Sequence, residues 1–389
     1  MTVTDRLIYL DHAATSYPKS EAVIEAMTRC AREQAGNPGR SGHRLASAAQ
    51  GIVGDVRLGI SQLMGVGDPS RVILTHNGTD ALNLAIHGLL DGSDGAYVVT
   101  TTLEHNSVLR PLATLERAGR ISLTRVPFDD QGFVSVDEVA AAITEDTRMV
   151  VITHASNVLG TIQDVEAIAA VTQSRGVLLC VDAAQTAGVV PIDLTAMGVD
   201  LLAFSGHKGL GGPTGTGCLC LGRETANRVQ SVRQGGTGGD SRSALQPDAL
   251  PERLEAGTPN VIGLAGLRAA VQALDRNDVP SRWGHERELR EQLRVGLKAM
   301  PGVRVLGPRD DTRCVGVVSF VVEAMDAATL AGVLDSSFGI AVRAGLHCSP
   351  GVHEQLGQMP DGAVRVSVGP DSTGEDVEAL LSALRQILG

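Results

Sequence analysis

Aromatic residues are scarce in this sequence of 389 residues, since phenylalanine, tryptophan and tyrosine together make up 2%. A folded core must therefore be aliphatic, built from Val, Leu, Ile and Ala. Few side chains are left on which nucleic-acid bases could stack. A basic surface is also missing, because 33 Lys and Arg residues face 44 Asp and Glu residues and give a net charge of −11. Binding to nucleic acid is therefore not expected.

Long apolar runs are missing from the sequence as well. The N-terminal stretch MTVTDRLIYLDHAATS has no apolar core of the kind that a signal peptide needs, and no later run approaches the ~18 apolar residues of a membrane-spanning helix. We therefore expect a cytoplasmic protein with no membrane partner.

Cysteines are few, and none of the six forms a C-x-x-C pair or a zinc-binding spacing. Reduced thiols are the simplest interpretation. Cys180, Cys218 and Cys220 lie in apolar runs typical of buried strands, which favours core positions. The histidines also lack the spacing of metal ligands, so we expect no metal site.

Short apolar runs alternate with helical patterns between residues about 70 and 222. Runs that are apolar on both faces are typical of strands covered by helices on each side. The sequence therefore predicts an α/β fold, with a mainly parallel seven-stranded sheet and helices on both faces. The strand candidates are RVILT, AYVVTT, ISLTRV, MVVITHA, GVLLCVD, LLAFSG and GCLCLG.

Glycine, proline and serine interrupt this alternation in the stretch GGTGGDSRSALQPDALPERLEAGTPN. A smaller α+β C-terminal domain is expected beyond it, with a helical pattern, the strand-like run VGVVSFVV and a closing amphipathic helix. The predicted division is an N-terminal segment, residues 1–15, that packs with the small domain, a large domain, residues 16–258, and the small domain, residues 259–389.

The stretch VRAGLHCSPGVHE, residues 342–354, has too many turn formers for the core of a helix or strand. A buried structural thiol usually lies inside an apolar run, and Cys348 does not. Composition leaves open whether Cys348 is a reactive nucleophile or an incidental loop residue.

An acid, an amide and a lysine follow strand ends in the run LLCVDAAQTAGVVPIDLTAMGVDLLAFSGHKGLGGPTGTG. One strand ends at Asp182, with Gln185 three residues later, and another ends just before His207 and Lys208. Parallel strands deliver these side chains to one edge of the sheet. Pyridoxal phosphate needs such a set: a lysine for a Schiff base, an acid for the ring nitrogen and donors for the phosphate.

Structural alternatives exist for each of these residues. Lys208 is also read as a solvated surface lysine, and Asp182 as a helix cap. The turn at Gly78 and Thr79 suits a phosphate at a helix N-terminus, or an ordinary threonine cap. His105, beyond another strand end, either faces a cofactor ring or is a structural histidine.

Taken together and in order, these motifs resemble the pyridoxal-phosphate enzymes of the class V aminotransferase fold, fold type I. Within them the chain resembles the cysteine desulfurase and selenocysteine lyase family, of the SUF type with a short cysteine loop. The motifs are YLDHAATSYP, NPGRSGHRLA, GTDALNLA, EHNSVLRP, SNVLGT, VDAAQTAG, FSGHKGLGGPTGTG, EAGTPN, VRAGLHC and VRVSVG.

The resemblance implies a role for each site residue. Lys208 would form the Schiff base, Cys348 would take up sulfur and His105 would stack on the cofactor ring. The resemblance also implies a homodimer with shared sites, in which Thr258 reaches the phosphate of the neighbouring subunit. The remaining roles are Asp182 at the pyridine nitrogen, Gln185 at the phenolic oxygen, Gly78, Thr79, Ser205 and His207 at the phosphate, and Asn157, Arg343 and Arg365 on the substrate side, with Arg365 bidentate to the carboxylate.

The chain departs from the family pattern after Glu104, where His-Asn replaces the His-His common in SUF-type members. The leading hypothesis is a desulfurase that converts L-cysteine to L-alanine and passes sulfur to Cys348, whose thiolate His347 and Arg343 would favour. A sulfur-acceptor protein would follow. The alternatives are a lyase for selenocysteine or S-substituted cysteine, a transaminase, and a cofactor-free sulfur carrier or scaffold.

Overall fold

A computed structural model describes residues 7–39, 42–92, 95–237 and 242–389. The start of the predicted N-terminal segment, part of the NPGRSGHRLA motif and part of the glycine-rich stretch lie outside the described residues.

Strands and helices alternate through the first two thirds of the chain. The strands are β1 Ile8–Tyr9, β2 Val72–Thr75, β3 Ala96–Thr101, β4 Ile121–Val126, β5 Thr147–Thr153, β6 Leu178–Asp182, β7 Leu201–Ser205, β8 Gly217–Leu221, β9 Val303–Leu306, β10 Val317–Val322, β11 Ile340–Ala341, β12 Arg343–Gly345 and β13 Ala363–Ser367. The helices are α1 Glu21–Glu33, α2 Arg44–Leu63, α3 Gly78–Leu90, α4 Asn106–Arg117, α5 Val136–Ala142, α6 Val165–Ser174, α7 Val261–Ala273, α8 Val279–Lys298, α9 Ala327–Phe338, α10 Pro350–Gln355 and α11 Gly374–Leu388.

The large sheet has the order β2-β8-β7-β6-β5-β3-β4 among the described residues, and β8 alone of these strands runs antiparallel to its neighbours. Successive residues of a strand point to opposite faces of the sheet and pack in two different hydrophobic cores, as Val150 and Val151 do. Every residue of β6, β7 and β8 is buried, because helices cover both faces. The predicted α/β fold with a mainly parallel sheet is confirmed, and Cys180, Cys218 and Cys220 are core residues as expected.

The C-terminal part of the chain folds around a second, antiparallel sheet of order β12-β13-β10-β9. Helices α8, α9 and α11 pack with it in a separate aliphatic core. The N-terminal strand β1 pairs with β11 in parallel, and Asp11 bridges to Ser367, so residues 8–11 lie against the C-terminal part of the chain. Helix α7 packs instead on α1 and α2. The domain division at residue 258 stays a prediction.

The expectation of a continuous loop over residues 342–354 is wrong at both ends. Arg343–Gly345 forms β12, because its backbone pairs with β13, a partner that turn propensities do not reveal. Pro350 opens the short helix α10, a position that suits proline because its missing N–H is not needed there. Cys348 lies between these two elements, in the part of the stretch that does remain a loop.

Candidate active site

The carboxyl edge of the large sheet collects the predicted site residues. Strand β6 ends at Asp182 and β7 at Ser205, and Lys208 follows three residues later. Lys208 lies within electrostatic range of Asp182, Arg343 and Arg365. One cluster therefore contains the lysine, the acid and two arginines that the sequence predicts at distant positions.

Lys208 contributes the amine of this cluster. Its side chain is half-buried, and loss of water around the ammonium group lowers its pKa to about 8, while the carboxylate of Asp182 acts in the opposite direction. A large fraction of the amine is therefore neutral near pH 8. A solvated surface lysine would still be protonated at pH 8. The structure therefore does not favour the interpretation of Lys208 as a solvated surface lysine.

Asp182 is a buried carboxylate at the end of its strand. Burial raises its pKa, whereas the Ala184 N–H, which donates to Oδ1 at 2.9 Å, and the ammonium of Lys208 lower it. A buried carboxylate is stable only with a cation or hydrogen-bond donors beside it, so Asp182 suits a positively charged partner. Gln185 follows three residues later in the chain and donates from Nε2 to the carbonyl of Ala13 at 3.1 Å, which links the site to the N-terminal segment.

A second buried acid, Glu104, lies behind Asp182. Its Oε1 accepts from Thr101 Oγ1 at 2.7 Å and from the Thr153 N–H at 3.0 Å. The pKa of Glu104 is raised to about 8, mainly by burial and to a smaller extent by the nearby Asp182. Glu104 is therefore a neutral acid at neutral pH. Sequence reasoning missed this role, because nothing in the motif EHNS distinguishes a buried acid from a solvated one.

The N-terminus of α3 packs closely against the end of β7. The Gly78 N–H donates to Ser205 Oγ at 3.0 Å, and a Cβ at Gly78 would lie only 2.9 Å from that oxygen, so the close approach needs glycine. Asn77, not Thr79, caps the helix. The exposed Thr79 instead places its hydroxyl 2.7 Å from Ser107 Oγ, near the helix end where free N–H groups favour an anion.

His105 caps the N-terminus of α4 and is electrically neutral. Its Nδ1 accepts from the Ser107 N–H at 3.1 Å, so the ring proton lies on Nε2. The pKa of His105 is lowered to about 4, mainly by burial and to a smaller extent by the charge of Lys208. The capping role and a position in the Lys208 cluster are thus combined in one residue. His207, whose Nδ1 lies 3.0 Å from Thr15 Oγ1, is also neutral, since burial lowers its pKa to about 4.

Cys348 is the exposed cysteine among the six, and the other five are buried. Arg343 Nη2 lies 3.9 Å from its Sγ. The expectation that His347 supplies a second positive charge is wrong, because burial lowers the pKa of His347 to about 2 and its Nε2 lies 3.1 Å from the Ala363 carbonyl.

Arg365 and Asn157 meet on the predicted substrate side. Arg365 is buried, and its Nη1 donates to the Asn157 carbonyl at 3.1 Å. Its Nη2 donates to Asp11 Oδ1 at 2.6 Å, and its Nε has no partner among the described residues. Asp11 was missed in the sequence, although it lies in the motif YLDHAATSYP, because its partner is far away in the chain.

Thr258 lies apart from this cluster within the described chain. It is exposed and lines a cleft of about 860 Å³ together with His76 and Arg233. Lys208 and Gln185 line another cavity, of about 470 Å³. A role of Thr258 at the cofactor phosphate would therefore need a second subunit, which stays a prediction.

Two negative findings concern the described residues only. No group of three or more His, Cys, Asp or Glu side chains there is arranged to hold a metal ion. No described helix has both the length and the apolar character to cross a bilayer.

Known proteins resemble this chain over nearly all of its length. The family model described as aminotransferase class-V matches residues 8–380. A probable cysteine desulfurase of Methanothermobacter thermautotrophicus is 32% identical over 385 residues, which cover 98% of this chain and 95% of the relative. A cysteine desulfurase of Haloferax volcanii is 31% identical over 388 residues, 98% of this chain and 89% of the relative.

Solved structures agree with these sequence matches. The apo structure of a cysteine desulfurase from Thermococcus onnurineus has a TM-score of 0.92 and 32% identity, and the match covers 98% of this chain and 94% of that one. The cysteine desulfurase CsdA of Escherichia coli, in an S-sulfonic acid form, has a TM-score of 0.88 and 30% identity with the same coverage.

Proposed function

This chain belongs to the aminotransferase class-V family, and we propose that it is a cysteine desulfurase that uses pyridoxal phosphate. It converts L-cysteine to L-alanine and leaves the sulfur on Cys348 as a persulfide. One observation carries the proposal: the exposed thiol lies beside Arg343, which shares one electrostatic cluster with the half-buried amine of Lys208 and the buried guanidinium of Arg365.

The residues at the carboxyl edge fit pyridoxal phosphate. The buried carboxylate of Asp182 would bind the pyridine nitrogen, and the amine of Lys208, with its lowered pKa, would bind the aldehyde carbon. The N-terminus of α3 would bind the phosphate. When bound, the cofactor supplies a ring that draws electrons from the substrate Cα and so makes its proton acidic. The proposed ligands are Lys208, Asp182, Gln185, His105, Gly78, Thr79, Ser205 and His207, with Thr258 of a second subunit.

In this proposal Lys208 accepts a proton from the substrate, whereas His105 keeps its own proton. The neutral Nζ of Lys208 accepts the proton from the substrate Cα, which a pKa of about 8 permits near neutral pH. His105 keeps its proton on Nε2 and stays uncharged, so it can pack on the cofactor ring without repelling Lys208.

Arg365 and Cys348 act on the substrate itself. Arg365 binds the carboxylate through N–H groups that Asp11 and Asn157 leave free. The Cys348 thiolate attacks the substrate sulfur: an S–S bond forms, the Cβ–S bond breaks, and its electron pair stays on carbon, where a proton completes the methyl group. One L-cysteine and one thiol give one L-alanine and one persulfide, so no outside redox partner is needed.

The partners follow from the same arrangement. We include in the proposal a homodimer with shared sites, because Thr258 does not join the Lys208 cluster within the described chain. A sulfur-acceptor protein can reach Cys348, because the thiol is exposed. Six free cysteines suit a reducing compartment such as the cytoplasm.

The test compares the wild type with Cys348→Ser on L-cysteine and L-selenocysteine, with alanine, pyruvate and sulfide as readouts. We expect the wild type to bind pyridoxal phosphate, seen as absorbance, and to form alanine from L-cysteine. Cys348→Ser should keep the absorbance and lose alanine formation from L-cysteine. Undiminished alanine formation from L-cysteine in this variant contradicts the proposal and favours a lyase. A protein that stays colourless with added cofactor contradicts it and favours a carrier or scaffold.

A further inference from the structure

The backbone at Cys348 has an unusual conformation. His347 and Cys348 have φ values of +51° and +61°, and they are the non-glycine residues with positive φ in the described part of the chain. A left-handed conformation is unfavourable for an L-residue, because its Cβ crowds the following carbonyl oxygen. It persists only where surrounding contacts impose it, and such strain is common at functional sites.

The side-chain amide of Asn157 holds the residues on both sides of Cys348. Its Nδ2 donates to the carbonyl of His347 at 2.7 Å, and its Oδ1 accepts from Ser349 Oγ at 2.7 Å. All three residues are buried, and Ser349 is 0% exposed. Water therefore cannot replace either bond, and the loss of one leaves a buried polar atom without a partner.

The loop is fixed at two further points. The Asn106 N–H donates to the carbonyl of Cys348 at 2.7 Å, and His347 Nε2 contacts the Ala363 carbonyl at 3.1 Å. The backbone around the thiol is thus fixed by α4, β13 and the turn at Asn157, while the thiol itself remains exposed. A short loop held in this way presents Sγ in one direction.

The same asparagine also contacts the proposed carboxylate-binding residue. Arg365 Nη1 donates to the backbone carbonyl of Asn157 at 3.1 Å, while the side chain of Asn157 holds the cysteine loop. Asn157 therefore contacts both the guanidinium that would bind the substrate and the loop that carries the nucleophile. A sulfur transfer needs both reacting atoms placed to within a fraction of an ångström.

We propose that Ser349, through the side chain of Asn157, is a positioning residue that sets the Cys348 thiol against the sulfur of the bound substrate. This inference rests on the proposed function, and Ser349 itself touches neither substrate nor cofactor. Asn157 thereby acquires a second task beside the substrate contact expected from the sequence.

The test uses Ser349→Ala with Ser319→Ala as the matched control. Ser319 is also 0% exposed, and its Oγ donates to the Val158 carbonyl at 2.6 Å, so the control removes an equivalent buried bond next to Asn157 without touching the cysteine loop. Both holoenzymes are given L-cysteine, and β-chloro-L-alanine, which loses chloride and forms pyruvate without attack by a thiol. Hydrogen exchange over residues 346–356 is measured on the same proteins.

We expect Ser349→Ala to lower kcat for alanine formation by roughly 10- to 100-fold, with KM changed less than about threefold, because the thiol is misplaced. Pyruvate formation from β-chloro-L-alanine and the cofactor absorbance should remain at wild-type level. Exchange in the loop should rise at least about tenfold in Ser349→Ala. Ser319→Ala should change none of these loop-specific quantities.

A second comparison places Ser349→Ala in the Cys348→Ser background, where we expect no further loss with either substrate. Equal losses on both substrates, or wild-type alanine formation in Ser349→Ala, overturn the positioning role. Failure of the proposed function has a different signature: the wild type makes no alanine from L-cysteine, or Cys348→Ser makes it at full rate.

Discussion

Arg365 donates from Nη2 to Asp11 Oδ1 at 2.6 Å, across 354 positions of sequence. The guanidinium is 1% exposed, whereas the carboxylate is partly exposed. Burial lowers the pKa of Arg365, and Asp11 opposes this effect by stabilising the positive charge. The residue proposed to bind the substrate carboxylate is therefore held in place by a carboxylate of the protein.

Asp11→Asn should destabilise the protein by on the order of 3 kcal/mol, because it leaves Arg365 as a buried cation without its counter-charge. Thermal denaturation of the holoenzyme measures the change. Saturating L-alanine should recover part of the loss, since the product supplies a carboxylate. The control is Asp193→Asn, which breaks the exposed pair with Arg276 and should cost less than about 1 kcal/mol. Equal losses in the two variants would show that Arg365 does not depend on Asp11.

The reactivity of the Lys208 amine should depend on pH in the way expected of a group whose pKa is about 8. We expect labelling of Lys208 by acetic anhydride in the apo-protein, followed by mass spectrometry, to rise with pH and reach half its plateau near pH 8, because only the neutral amine is nucleophilic. Asp182→Asn should move this midpoint downward, since the carboxylate that favours the charged amine is gone. A midpoint above pH 10 would mean that Lys208 is fully solvated.

Glu104→Gln should stabilise the protein at pH 8 and leave its stability almost unchanged at pH 4. The folded pKa of about 8 lies above the ordinary value of 4.5, so the folded state retains a proton that the unfolded state releases. The contribution of Glu104 to stability is thus complete below about pH 4.5 and declines until about pH 8. Glutamine is neutral at every pH and removes the decline. Denaturant titrations at pH 4, 6 and 8 test this, and a difference between the proteins that is constant with pH contradicts it.

Gly78→Ala should weaken retention of pyridoxal phosphate by about tenfold. The added Cβ would approach Ser205 Oγ to 2.9 Å and force the strand end and the α3 N-terminus apart, where the phosphate is proposed to bind. Dialysis followed by absorbance measures retention. Gly51→Ala is the control, because it lies in α2 with nothing within 4 Å of its added Cβ and should bind the cofactor normally.

The large sheet is predictable from the sequence because its signal is local. Runs such as LLAF in β7 are apolar at every position, and this pattern is needed only where helices cover both faces. Asp182 ends one such strand and Lys208 follows another after three residues, so strand ends alone place them on one edge.

Contacts between residues that are far apart in the sequence are not predictable from such local patterns. Strand β12 exists because β13 pairs with it, and the neutral state of His347 follows from its burial and from the nearby charge of Arg365. The sequence His-Cys is the same whether the histidine is charged or neutral, so the sequence does not reveal the charge of His347. The bond from Ser349 to Asn157 spans 192 positions, and no spacing rule links them.

The Asp11–Arg365 pair also sets an order of events during synthesis. Asp11 leaves the ribosome 354 residues before Arg365, and β1 likewise precedes its partner β11. The strands of the large sheet, between Val72 and Leu221, are complete well before then. Contacts between such distant residues form late, after the loop between them has closed. The nascent chain can therefore complete the strands that carry the proposed cofactor site before the pair proposed to position the substrate carboxylate can form.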